Sequence, residues 1–353
     1  MKKHTGTFLY LIISTFLTIS YPQTIQISEI TNNAGALILE KGEGRIIAGY
    51  SRILHIIELT QFEVSIKFIE NVISILPNTN GPFSVLIKAT LIDVKHLYNN
   101  LQPRNIRSKR SINFLGSVIK LVTGNLDAND LQIINSNMEN LKTTEENLVK
   151  QNNNQLKINT RFEDRINFIN DQFRSQHNLL KELSLQNNYL LTEDEKISII
   201  FNLYTLFDIL NSIENAIVLA KLNIVSRFIL TQKELEMIAQ EIQSDGLNIQ
   251  NLDDAYSYLS PTVFYRGSSL IICANIPRLI PTHFKKLSVE PLPYNNRTIK
   301  INYKNVLQHD STIFAIRTNC EEHNDVTLCE RKQLTDISND QCESRLIQGQ
   351  TGK

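Results

Sequence analysis

The chain of 353 residues carries 36 lysines and arginines against 36 aspartates and glutamates, so its formal net charge is +0. That balance argues against a nucleic-acid-binding protein that works through a broad basic surface, and against an acidic disordered tail. The length suggests two or three domains, and an apolar content of 42% is enough for real cores. Only 12 glycines and 9 prolines predict long uninterrupted elements.

The N-terminus has the pattern of a secretory signal peptide over residues 1–20. A basic lead over residues 1–4 precedes an apolar run over residues 8–19, and Thr18 and Ser20 occupy the −3 and −1 positions of a cleavage site. The run is shorter than the roughly 20 apolar residues that a membrane span needs. We therefore expect entry into the secretory pathway; the alternatives for this segment are a buried N-terminal helix and a signal anchor.

Residues 21–110 form a block in which short strand-like pieces precede two helices. The pieces are rich in isoleucine and bounded by glycines, as strands often are. A capping box from Thr60 to Glu63 then opens a helix whose apolar residues recur at steps of four and three. Pro82 opens the second predicted helix.

This block ends in the basic tetrad Arg107-Ser108-Lys109-Arg110. The tetrad fits the acidic cleft of a furin-type protease, which would cut before Ser111. Basic runs are common on solvated surfaces, so the tetrad alone is a weak signal. The segment that follows it strengthens the hypothesis.

Residues 111–124 are predicted to be a fusion peptide. As a helix, this segment would place several apolar side chains on one face and could lie at a membrane interface. Gly116 and Gly124 provide freedom to change conformation. Its apolar residues are Ile112, Phe114, Leu115, Val118, Ile119, Leu121 and Val122.

Residues 125–246 are predicted to be almost entirely helical, because residues 125–245 contain neither glycine nor proline. A second capping box, from Thr192 to Glu195, indicates that a new helix starts there and runs to about Gln243. Between residues 127 and 186, alternating steps of four and three indicate a coiled coil. The alternative is a long helix packed on its own chain. The apolar positions of the predicted coiled-coil seam are Ile134, Met138, Leu141, Leu148, Phe162, Ile166, Ile169, Phe173, Leu180 and Leu183.

Residues 247–353 are predicted to form a small β-rich domain, since recurrent prolines forbid long helices there. In an oxidising compartment its four cysteines imply disulfides, with three pairings open. We expect Asn296, in the sequon Asn-Arg-Thr, to be glycosylated. No pattern indicates a metal site, a cofactor or an enzyme. The cysteines are Cys273, Cys320, Cys329 and Cys342.

The order of these segments is that of a class I membrane-fusion protein: a basic cleavage site, an apolar N-terminal segment and a coiled coil. The expected fold is therefore α+β and mainly α. It would be a class I fusion-protein-like ectodomain, with a long central coiled-coil helix and a small disulfide-bonded β-rich domain.

Residues 107–130 resemble the cleavage and fusion-peptide region of insect errantivirus envelopes, the envelopes of gypsy-type LTR retrotransposons, which are related to baculovirus fusion (F) proteins. The resemblance implies that Arg110–Ser111 is the scissile bond, that residues 21–110 are the small subunit and that the rest is the large one. It also implies a homotrimer, a C-terminal membrane anchor, and three partners: a furin-type protease, a receptor and the target-cell membrane.

The chain departs from that family at two points. No apolar span precedes Lys353, so we expect the last domain to be C-terminally truncated. Residues 21–110 contain no cysteine, so the two subunits would associate by packing alone. With an anchor the protein would reach the cell surface or a virion envelope, and without one it would be secreted. The alternatives are a decayed or host-domesticated envelope remnant, and a secreted coiled-coil protein with an incidental basic site.

Overall fold

In the computed structural model, most of the described chain belongs to one sheet and the helices packed on it. Neither residues 1–20, the predicted signal peptide, nor Asn296 is among the described residues. The residues that the structure describes are 35–75, 82–103, 111–114, 117–124, 132, 134, 148–151, 154–159, 161–184, 192–293, 298–323, 326–340 and 342–348.

Thirteen strands in this part of the chain form a single sheet. Hydrogen-bonded neighbours follow the order β13-β10-β9-β8-β1-β7-β6-β3-β2, and β4, β5, β11 and β12 lie off this path. The strands are β1 (Ala36–Glu58), β2 (Ser111–Phe114), β3 (Ser117–Thr123), β4 (Leu148–Gln151), β5 (Asn154–Asn159), β6 (Ser260–Arg266), β7 (Ser269–Leu279), β8 (Phe284–Pro291), β9 (Asn305–His309), β10 (Thr312–Ile316), β11 (Glu321–His323), β12 (Val326–Glu330) and β13 (Leu334–Asp336).

Strand β1 is the centre of the sheet. A single strand of 23 residues stands where the glycines predicted several short strands. Gly42 and Gly49 lie within this strand, at the two positions where its pairing register shifts. Strands β7 and β8 pair antiparallel with one edge of β1, while β5 and β12 pair in parallel with its other edge. Both edges of β1 are therefore occupied by strands from beyond residue 110.

The helices between residues 59 and 221 bury one apolar cluster against the strands β1, β6 and β7, and the helix over residues 232–244 packs in a second cluster. The capping box predicted at Thr192 is confirmed, and a further one at Thr231 starts a separate helix where a continuous one was predicted. The helices are α1 (Leu59–Ile75), α2 (Pro82–Leu101), α3 (Arg161–Ser184), α4 (Glu193–Lys221), α5 (Gln232–Ser244) and α6 (Glu343–Ile347).

The expectation of a mainly α, class I fusion-protein-like ectodomain with a long central coiled-coil helix is wrong. The hairpin β4–β5 interrupts the predicted helix, and Leu148 lies in β4. The expected separate β-rich domain is not seen either, because residues from both ends of the described chain share one sheet.

The predicted coiled-coil seam packs instead on its own chain. Ile166, Ile169 and Phe173 of α3 are buried in the cluster that also holds Phe62 of α1, and the buried Asn170 amide donates to Gln61 Oε1 over 3.2 Å. A four-three apolar spacing is compatible both with a helix that packs within one chain and with a coiled coil. The spacing alone therefore does not distinguish the two structures. Phe162, Leu180 and Leu183 lie on α3 as well, and Ile134 is buried; Met138 and Leu141 lie outside the described residues.

Candidate functional site

The predicted cleavage junction is followed directly in the sequence by β2, the strand at one end of the sheet order. Residues 107–110 lie outside the described residues, so the structure does not place the tetrad itself. Ser111, the first residue after the predicted cut, is the first residue of β2. Since β2 stands at the end of the sheet order, a cut at this bond would free one end of a terminal strand.

The predicted fusion peptide is an antiparallel hairpin rather than a helix. Ile112 pairs with Ile119, and Phe114 pairs with Ser117. Leu115 lies outside the described residues. The β-branched residues of this segment favour the extended form when a neighbouring strand can satisfy their backbone. The apolar residues of β3 are Val118, Ile119, Leu121 and Val122.

Strand β6 contacts the chain on both sides of the junction. Its Tyr265 pairs in the sheet with Lys120 of β3, on the far side of the junction. The Tyr265 hydroxyl donates a hydrogen bond to the Leu101 carbonyl oxygen at the end of α2 over 2.8 Å. Burial raises the pKa of Tyr265, so the hydroxyl keeps the proton that it donates. The chain is thus fixed shortly before the tetrad and again shortly after it.

The hairpin is fixed to the helices where β3 ends. Thr123 Oγ1 donates to the Ala220 carbonyl oxygen in α4 over 3.3 Å, and Val122 packs partly buried against the main apolar cluster. Gly124 follows with φ +89, and a Cβ on it would lie 2.5 Å from Thr262 Oγ1 and 2.9 Å from the Pro261 carbonyl oxygen. Glycine is therefore required here both for its backbone angle and for its lack of a side chain.

We expect Gly124→Ala to lower the free energy of unfolding by about 2–4 kcal/mol, combining a left-handed backbone strain with a backbone clash. The matched control is Gly267→Ala, since Gly267 also has a positive φ, +59, but open space where its Cβ would lie. The control should lose only about 1–2 kcal/mol, from the backbone strain alone. Thermal unfolding of both variants measures the difference. Equal losses would show that the contact with β6 has no role.

Arg45 of β1 joins the N-terminal block to the rest of the chain. It is 2% exposed, and its Nη2 donates to the carbonyl oxygens of Asp245 over 2.9 Å and Ile280 over 3.2 Å. Its Nη1 lies 3.4 Å from Glu43 Oε1, which in turn lies 2.6 Å from His283 Nδ1. No sequence pattern indicates this contact, because an arginine within a glycine-rich strand is ordinarily expected to be exposed.

A second polar contact joins β1 to β12. The Tyr50 hydroxyl donates to Glu330 Oε1 over 2.8 Å. Burial, reinforced by the Glu330 carboxylate, raises the pKa of Tyr50, so the phenol remains the donor. The N-terminal block is therefore held by side chains as well as by the two edges of β1.

The cysteines follow the disulfide prediction in part. Cys320 and Cys329 form a disulfide that links the start of the β11–β12 hairpin to β12. The Cys273 thiol is buried in β7 and donates to Asn275 Oδ1, and Cys342 is an exposed free cysteine. Among the described residues, no group of three histidines, cysteines or carboxylates could hold a metal ion.

Two comparisons with known proteins bear on this arrangement. A family model described as "Gypsy protein" matches residues 26–353. The chain is also similar to the "Retrovirus-related Env polyprotein from transposon gypsy" of Drosophila melanogaster, with 24% identity over 347 residues. That alignment covers 94% of this chain and 61% of the relative, so the chain spans about three fifths of the relative's length.

Proposed function

Because the chain belongs to the Gypsy protein family, we propose that it is the envelope protein of a retrovirus-like element and mediates membrane fusion after furin-type cleavage at Arg110–Ser111. The similarity to the Env polyprotein supports the envelope role. A secretory route, a cell-surface or virion location, a homotrimer and a receptor belong to the same proposal. The relationship to baculovirus fusion proteins stays a prediction from the sequence resemblance.

The observation that carries this proposal is the position of the apolar hairpin. The segment that is predicted from the sequence to insert into a membrane is a terminal hairpin of the sheet, and it begins at the predicted cut. Among the described strands, only β3 joins this hairpin to the rest of the sheet, through its pairing with β6 between Ile119 and Thr123. Release of β2 and β3 would leave the β1–β7–β6 core of the sheet intact, and Gly124 lies where the released segment would end.

Insertion of the hairpin would be driven by its apolar side chains. We expect Ile119→Asp to weaken the binding of the cleaved chain to liposomes roughly 100-fold, because a carboxylate deep in a bilayer costs about 2.5–3.5 kcal/mol. The matched control is Ser117→Asp, which adds the same charge at the end of the same strand, where a turn can stay at the interface. Liposome flotation of the cleaved variants measures the effect.

Equal binding by the Ile119→Asp chain and the unmodified chain would contradict the fusion-peptide assignment. If the cleaved, unmodified chain itself does not bind liposomes, the alternative applies. The protein would then be a decayed or host-domesticated envelope remnant without fusion activity.

A further inference from the structure

A cavity of about 430 Å³ lies where α3, α4 and the start of α5 meet. Its volume is within the range of small-molecule sites, roughly 300–1,000 Å³, and far above the roughly 30 Å³ that one water molecule occupies. Arg227 and Phe228, which precede α5, line the cavity and are 71% and 62% exposed, so it is reached from the surface. Among the described residues, none that fixes the cleavage junction or contacts Arg45 lines this cavity.

The hydroxyl of Ser212 in α4 lines the cavity without a protein partner. Ser212 is 8% exposed, and its side chain makes no hydrogen bond among the described residues. A hydroxyl inside a helix commonly donates to the carbonyl oxygen four residues earlier, as Thr205 of the same helix does to Phe201 over 2.9 Å. A buried hydroxyl without a partner lowers stability, so the one at Ser212 needs an explanation, which a bound molecule would supply.

Two arginines give the cavity a positive lining. Arg165 of α3 and Arg227 line it, against a single lining carboxylate, that of Asp208. Arg165 Nη2 lies 3.9 Å from Asp208 Oδ2, which is too long for a hydrogen bond, so this contact leaves the guanidinium donors available. Arg227 Nη2 lies 3.3 Å from Asp253 Oδ2, and Asp253 is outside the lining. The lining therefore favours an anion.

The N-terminus of α5 adds a backbone donor to the same cavity. Thr231 and Gln232 line it, and Gln232 is the first residue of α5. In the capping box, Thr231 Oγ1 accepts from the Glu234 N–H over 3.2 Å, and Glu234 Oε2 accepts from the Thr231 N–H over 2.8 Å. The Gln232 N–H has no acceptor within the helix, and such first-turn N–H groups favour anions.

We propose that this cavity binds the phosphate group of a phosphomonoester. Such a group has three strong acceptor oxygens, and the donors that line the cavity come from three elements: α3, α4 and the start of α5. The planar fork of an arginine matches phosphate geometry, and a carboxylate, with two oxygens, would leave part of this donor set unused. The cavity also has room for an organic group beside Phe228 and Leu230.

A soluble phosphate ester and a lipid headgroup carry the same chemistry, so the experiment has one probe for each. The probes are glycerol 3-phosphate, and vesicles of phosphatidylcholine with and without phosphatidic acid. The full-length chain carries Arg110→Ala, so that cleavage and insertion of the hairpin do not enter. Binding of glycerol 3-phosphate alone supports a soluble ester. Binding of the phosphatidic acid vesicles that is lost in Arg165→Ala supports a headgroup.

Isothermal titration calorimetry with glycerol 3-phosphate measures the affinity of each variant. We expect Arg165→Ala to weaken binding about 10- to 100-fold, the loss typical of hydrogen bonds to a charged group. The matched control Arg174→Ala removes another arginine of α3, 60% exposed and outside the cavity, and should bind as the parent does. Asp208→Asn should strengthen binding about 3- to 5-fold, because it removes a like charge from the lining.

Ser212→Ala separates a role in binding from a role in folding. It should weaken binding about 5-fold, the value of one hydrogen bond. Without ligand its Tm should equal or exceed that of the parent, because the lost hydroxyl has no protein partner and alanine favours a helix. A lower Tm would show that this hydroxyl stabilises the protein itself and would overturn the site.

The proposal is also overturned if the parent binds neither glycerol 3-phosphate nor the phosphatidic acid vesicles. Equal binding by the parent and Arg165→Ala, with both folded by circular dichroism, would overturn it too, as would weaker binding by Asp208→Asn. None of these results depends on cleavage or on insertion of the hairpin, so a failure here leaves the fusion proposal untouched.

Discussion

Arg45→Ala is expected to lower the free energy of unfolding by about 3–5 kcal/mol. The substitution removes the Nη2 group that donates to the carbonyl oxygens of both Asp245 and Ile280, and it leaves a cavity in place of the buried side chain. Removing one partner of a buried polar contact costs far more than the net value of the contact, because the remaining partner is left without a hydrogen bond. Chemical denaturation of the uncleaved chain measures the loss.

Arg227→Ala is the matched control for this substitution. Arg227 also has a carboxylate partner, Asp253 at 3.3 Å, but its side chain is 71% exposed. An exposed ion pair contributes about 1 kcal/mol or less, so the control should unfold close to the parent. A similar decrease in the free energy of unfolding in the two variants would contradict the view that the contacts of Arg45 stabilise the packing of the N-terminal block on the rest of the protein.

The cleaved chain is expected to remain one particle in solution. The N-terminal fragment would carry β1, both edges of which pair with strands of the C-terminal fragment. It would also carry buried residues such as Leu54, Ile57 and Phe62, each 0% exposed, and each contributes about 1.5–3 kcal/mol by burial. Separation would expose all of this surface, so we expect cleaved and uncleaved chains to elute together in gel filtration.

Denaturing electrophoresis supplies the complementary measurement. Residues 21–110 contain no cysteine, so the two fragments should separate equally with and without a reducing agent. Elution of two separate fragments under native conditions would contradict the proposed packing. A single denatured band that splits only on reduction would contradict the absence of a disulfide between the fragments.

Local signals in the sequence predicted the helices better than the architecture. A capping box or a proline marks a helix start through residues that are neighbours in the sequence, so one sequence is enough to find it. The helices α1, α2 and α4 begin within a few residues of the positions that these signals indicate. The coiled coil failed for a different reason. Spacing shows that one face of a helix is apolar but not what covers it, and α3 is covered by α1 of the same chain.

The same limit applies to the candidate site. The basic tetrad and the apolar run are contiguous, so the sequence displays them directly. Tyr265 and Leu101 are 164 residues apart, and Arg45 and Asp245 are 200 apart. Such contacts arise from sheet pairing, which a single sequence does not reveal. The sequence predicts flexibility at Gly124, whereas its close approach to Thr262 and Pro261 becomes visible only in the fold.

N-terminal sequencing of the chain recovered from cells with a secretory furin-type protease is the sharpest test of cleavage at Arg110–Ser111. We expect a new N-terminus at Ser111, and its loss in Arg110→Ala. Recovery of the chain without an end at Ser111, or with that end unchanged in Arg110→Ala, would contradict cleavage at this bond. The hairpin would then be an ordinary edge of the sheet, never released by a cut.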